Sequence, residues 1–143
     1  MKKYFETKDT KDSEAGEMVF LTPSMLVVWG YFVNFCQMKK LPCLITNISS
    51  KTRNSTVDIH RSGRAIDVRT WTWNAKSIAA AEKYMNEKVG ALGAYSKGSG
   101  KRKVIHYEPT VKDESGKIIK GEHFHLQVAR EHQNILPKLR GRQ

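Results

Sequence analysis

Cysteine is scarce in this chain of 143 residues: Cys36 and Cys43 are the only two, they do not form a Cys-x-x-Cys pair, and no disulfide framework can be built from them. Both lie in or beside an apolar stretch, so buried reduced thiols are expected, and the spacing does not say whether they bridge. Acidic residues are also few, 14 against 25 lysines and arginines, which leaves a formal net charge of +11. An excess of that size implies an anionic partner or an anionic surface to work on. Residues 1–17 are polar and charged, without the apolar core of a secretory signal, so no cleaved signal is expected and synthesis in the cytoplasm follows. Neither an internal repeat nor a linker divides the chain. A single domain over residues 1–143 is expected, with 1–17 as a polar N-terminal segment and 137–143 as a basic tail. With 39% hydrophobic and 27% charged residues the composition is that of a globular protein with a real core.

The longest stretch without charge, residues 18–38, is long enough to raise the question of a membrane span. Thr22-Pro23 answers it: a capping residue followed by a first-turn proline starts a helix at 23, and Gly30, Asn34 and Gln37 dilute the remainder. The expectation is a buried core helix over 23–38, ended by Leu41-Pro42. Residues 43–46 then read as a short buried strand, 47–56 as a polar loop, and 65–69 as a strand. A second helix begins at Asn74 and runs to about Val89, with Gly90 as its stop. Beyond Gly93 come a basic loop, a strand at 104–107, a turn around 113–116 and a closing strand at 122–128. Strands 104–107 and 124–128 pair antiparallel, which brings His106 near the last segment. The order of elements predicts an α+β fold, a small antiparallel sheet with helices packed against it. Trp71 and Trp73, at alternate positions after the strand at 65–69, are expected to share a face as a core or rim pair or as a platform for sugars.

Two blocks carry chemistry. The first is His60 to Asp67, His-Arg-Ser-Gly-Arg-Ala-Ile-Asp; the second is Glu122 to His125, Glu-His-Phe-His. Two imidazoles and a carboxylate are a usual protein share of a catalytic zinc site, with the fourth position left for water. A second carboxylate nearby can then move protons. Ligands drawn from segments this far apart need a folded scaffold, unlike the compact ligand pairs of zinc fingers. Gly63 and Ala65 are small enough for a sharp backbone path between the ends of the first block.

Over about residues 44–128 these motifs resemble the zinc D-alanyl-D-alanine carboxypeptidases and L-alanyl-D-glutamate endopeptidases of peptidoglycan, a family that includes small phage endolysins. Its first pattern, Ser-x-His-x-x-Gly-x-Ala-x-Asp, is met by His60, Gly63, Ala65 and Asp67, with Asp58 where the family usually has Ser. Its second, an acid three positions before a ligand His with another His directly after the acid, is met by Glu122, His123 and His125. The resemblance implies a hedgehog/D-Ala-D-Ala peptidase-like fold, one zinc ion held by His60, Asp67 and His125, Glu122 as general base, and His123 as donor to the oxyanion. Arg53, Arg61 and Arg64 are candidates to hold a substrate carboxylate. The family's Thr-Ser-Gly-Tyr-Arg run is not found in residues 45–53, a departure that favours the endopeptidase over the carboxypeptidase.

One geometric condition accompanies the base. On a regular strand over 122–128, His123 and His125 share a face and Glu122 points away, in which case His123 becomes the better base. Gly121 allows an irregular entry that turns the carboxylate back to the site.

The expected function is a zinc metallopeptidase that hydrolyses peptidoglycan, an endolysin acting on the cell wall in the host periplasm as a monomer. It would be released through a partner pore protein. Three alternatives are a D-Ala-D-Ala carboxypeptidase or dipeptidase, a zinc-binding module without catalysis, and a basic nucleic-acid-binding protein. The last accounts for the charge but not for the paired motifs, so no specific nucleic acid is expected.

Overall fold

The computed structural model of the protein describes residues 6–7, 21–48, 63–95, 98, 100–132 and 134. The polar N-terminal segment and the basic tail foreseen from composition lie almost wholly outside the described residues.

The elements follow in the order β1 (Glu6–Thr7), α1 (Pro23–Lys39), β2 (Leu44–Asn47), β3 (Ala65–Arg69), α2 (Ala75–Val89), β4 (Ala94–Tyr95), β5 (Arg102–Lys103), β6 (Ile105–Glu108), β7 (Val111–Lys112), β8 (Ile118–Lys120) and β9 (His123–Gln127). Helix α1 starts where the cap predicts: the Thr22 side chain accepts a hydrogen bond from the Met25 amide at 3.3 Å, and Pro23 occupies the first turn. It ends at Lys40, which adopts a left-handed conformation with φ 54 while Leu41 N donates to the Cys36 carbonyl at 2.8 Å. At 17 residues it falls short of a bilayer. No helix among the described residues is long and apolar enough to cross a membrane. Helix α2 is capped by the Asn74 side chain, which accepts from Ser77 N at 2.8 Å. Gly90 ends this helix as expected, in a right-handed conformation that continues into a 3-10 turn over Gly90–Leu92.

The main sheet has the strand order β1-β2-β3-β9-β6, antiparallel throughout except that β1 joins β2 in parallel. The fold is therefore α+β, a small, mainly antiparallel sheet with two helices, and β6 pairs with β9 as the hydrophobic pattern predicts. The expected basic loop is more ordered than its composition suggests, because Ala94–Tyr95 and Arg102–Lys103 form a small hairpin. A Cβ on Gly93, just before that hairpin, would lie 1.9 Å from the Lys103 carbonyl oxygen, so only glycine permits this approach.

One face of the sheet packs on the helices. Ile66 and Val68 from β3, Phe124 and Leu126 from β9 and Ile105 from β6 are buried against Met25, Val28, Phe32 and Phe35 of α1 and Met85 of α2. Cys36 and Cys43 are free and buried; a hydrogen bond between them, then burial, pushes the Cys36 thiol far above its ordinary range. The two tryptophans part company. Strand β3 stops at Arg69 and the chain turns, with Trp73 N donating to the Thr70 carbonyl at 2.8 Å. The alternation that would have put them on one face is thereby lost. Trp73, 6% exposed, enters the core against Phe32, Phe35 and Phe124, whereas Trp71 stays 67% exposed.

Candidate metal centre and its cleft

The other face of the same strands is polar. Asp67 stands opposite His125 and Arg69 opposite His123 across β3 and β9; His106 and Glu108 of β6 stand opposite His125 and His123. Residues directly opposite in an antiparallel pair project to the same side, so these six side chains share one face. The period of two that buries Ile66, Val68, Phe124 and Leu126 delivers Asp67, Arg69, His123 and His125 to the opposite side.

Asp67 and His125, 58 positions apart, meet on that face: His125 Nδ1 donates to Asp67 Oδ1 at 2.7 Å. The other nitrogen, Nε2, faces Gln127 Oε1 at 2.9 Å. Burial by itself lowers the affinity of the His125 imidazole for a proton. The hydrogen bond and charge of Asp67, aided by Gln127, outweigh it and hold the ring above its usual range. His106, beside it, is pushed down by burial and then by the neighbouring charges of His125 and Lys103.

An imidazole nitrogen and a carboxylate oxygen that converge in this way are donor types that zinc takes, and both partners suit a cation once the proton between them has left. Two of the three ligands implied by the motifs are thus brought together. The third, His60, lies outside the described residues, as do Asp58, Arg53 and Arg61. Among the described residues no group of three or more His, Cys, Asp and Glu is arranged to hold an ion. Gly63, inside the first block, has φ 74 and hands its carbonyl to Thr22 N at 3.0 Å. That left-handed turn anchors the approach to β3 on the helix cap, a reason for glycine at this point.

His123 is fixed at both nitrogens. Its Nδ1 lies 2.8 Å from the Gly121 carbonyl oxygen, which can only accept, so this nitrogen donates. Its Nε2 lies 3.1 Å from Glu108 Oε2. A ring facing an acceptor on either side is set up as a donor, which suits stabilising an oxyanion better than abstracting a proton. Glu108 also receives Lys120 Nζ at 2.8 Å, and that bond is the main reason its carboxyl sits below the ordinary carboxylate range.

Glu122 and Gly121 lie in the short link between β8 and β9, outside either strand, but the carboxylate is not turned onto the Asp67–His125 face: its partner Tyr107 alternates with His106 and Glu108 and packs on Phe124, on the opposite side of the sheet. Glu122 Oε2 accepts the Tyr107 hydroxyl at 2.6 Å. Together with Asp67 and His123, Glu122 lines a cleft of about 260 Å³ whose other walls are Thr46, Arg69 and the 119–121 segment. Arg64 is placed elsewhere: it bonds the Val128 carbonyl at 3.3 Å, at the other end of β3 from Arg69.

Glu108 and Arg69 were not singled out from sequence, although the signal was there. Extending the predicted 104–107 strand by one residue places Glu108 opposite His123, and stepping two positions along β3 from Asp67 reaches Arg69 on the same face. Comparison with protein-family models, with characterised proteins and with solved structures yields no match.

Proposed function

We propose that the chain is a zinc-dependent peptidase of bacterial peptidoglycan, an endolysin-type enzyme that cuts the L-Ala-D-Glu bond of the stem peptide on a hedgehog/D-Ala-D-Ala peptidase-like fold. The observation that carries this reading is the 2.7 Å meeting of Asp67 and His125 on adjacent strands, beside a cleft that Glu122 and His123 also line. The antiparallel β3–β9 register sets residues of the two distant motifs opposite each other.

His60, Asp67 and His125 would hold a zinc ion, which would supply Lewis acidity, lowering the pKa of a water toward neutrality and polarising the substrate carbonyl. Glu122 takes the proton of the attacking water and returns it to the leaving amine. Tyr107 holds one Glu122 oxygen on the Phe124 side, so this role requires the carboxylate to rotate into the cleft that its residue lines. His123, with Nδ1 tied to the Gly121 carbonyl, turns Nε2 from Glu108 to the oxyanion of the tetrahedral intermediate. The basic surface holds the enzyme on an anionic wall, and a partner pore supplies its route out of the cytoplasm.

The test is mass spectrometry of peptides released from purified peptidoglycan, with metal-stripped protein alongside. Zinc-dependent release with new D-Glu amino termini is expected. Loss of terminal D-Ala instead would move the assignment to the carboxypeptidase, and no release from several wall types would leave a binding module.

A further inference from the structure

Arg69 closes the end of β3, directly across from His123, and lines the same cleft as Asp67 and Glu122. Its guanidinium lies 4.7 Å from the centroid of the exposed Trp71 ring. No carboxylate among the described residues pairs with it: Glu108 is engaged by Lys120 and His123, Glu122 by Tyr107, and Asp67 by His125.

Stacking uses the face of a guanidinium and leaves its N–H donors, which radiate in the plane, available for a carboxylate. Trp71 therefore orients the fork without consuming it. Trp71 is exposed, and its ring lies against the guanidinium of Arg69, which lines the cleft. From this geometry we infer that Arg69, stacked on Trp71, is an anion subsite that grips a free substrate carboxylate next to the bond to be cut.

The inference rests on the peptidase reading and narrows its substrate. In an L-Ala-D-Glu unit joined onward through the side-chain carboxyl, the free α-carboxylate sits one carbon from the leaving amine. That is the group for Arg69 to hold. Amidation of this carboxylate removes the charge and one acceptor oxygen, so walls with amidated glutamate are the poorer substrates.

The test uses two synthetic peptides, L-Ala-γ-D-Glu-L-Lys with the α-carboxyl free or amidated, and the zinc-loaded full chain. The wild type is expected to prefer the free acid by about 10- to 100-fold in kcat/KM, the range of a charge-assisted bidentate contact. Arg69→Gln should bring the preference close to one, mainly through KM. Arg69→Lys should keep part of it, and Trp71→Ala should weaken it less than Arg69→Gln does. An unchanged preference in Arg69→Gln, or an equal loss on both peptides, overturns the subsite. If the wild type cleaves neither peptide the peptidase reading falls, and calorimetric titration of the same peptides still decides the subsite. Tighter binding of the free acid that Arg69→Gln abolishes supports it; equal binding of both peptides overturns it.

Discussion

The two faces of the β3-β9-β6 sheet are built from alternate residues of the same strands and have opposite chemistry. One presents Ile66, Val68, Ile105, Phe124 and Leu126, all without solvent exposure; the other presents Asp67, Arg69, His106, Glu108, His123 and His125. Stability and chemistry are thereby separated by one residue along the chain, while the register that the core enforces fixes where the polar groups meet. A slip of one position would exchange the two sets, so burying Phe124 and Leu126 is also what aims His123 and His125.

The separation is tested most severely at His125. Replacing it with Ala should remove zinc, measured by mass spectrometry of the dialysed protein, and reduce turnover to that of metal-stripped enzyme, while the circular dichroism spectrum stays that of a folded chain. Loss of the fold instead would mean that the polar face carries stability after all. Glu122→Ala, off the strand and off the metal, should keep zinc and lose about 10²- to 10⁴-fold in kcat. Normal turnover in that variant would end its role as base.

The opposite face should respond the other way. Phe124 lies between His123 and His125, is fully buried, and meets Phe32, Trp73 and Tyr107 edge to face. Phe124→Ala should cost about 3–5 kcal/mol in urea unfolding, through lost burial and the cavity left behind. Molecules still folded should bind zinc as before; a parallel loss of zinc affinity in the folded population would show that the two faces are coupled.

What could be read in the sequence follows the same division. Alternation in 65–69 and 122–128, the Thr22-Pro23 cap and Asn74 were sufficient for the helices and the central strands, because each is a local signal with a local cause. The site was legible only as far as its motifs: Asp67, His123 and His125 were named, whereas Glu108 and Arg69 acquire meaning only through pairing with β9. The Trp71 and Trp73 pair misled because strand periodicity was carried past Arg69 into a turn closed by the Thr70 carbonyl. No pattern in residues 1–17 announced β1, whose Glu6–Thr7 joins the sheet beside Leu44 and Ile45. A strand of two residues is selected by the edge it finds rather than by its own propensity.

The smallest effect expected lies on the polar face, in its response to pH. Folding lowers the Glu108 carboxyl below its ordinary value of 4.5, chiefly through the hydrogen bond from Lys120, with burial opposing and the charges of Lys120, His123 and His125 assisting. A carboxyl depressed on folding favours the native state when ionised. Its contribution is complete above pH 4.5 and is lost as the pH falls through the lower native value. Both partners are about half exposed, so solvent screening limits the pair to about 0–1 kcal/mol. Lys120→Met should therefore lower the unfolding free energy by no more than about 1 kcal/mol near neutrality and by less at pH 3.5, the gap between variant and wild type closing on acidification. Urea titrations at the two values measure it. A gap that stays constant with pH would mean that Lys120 acts through packing of its aliphatic stem, and that the open face, like the buried one, is held by burial rather than by charge.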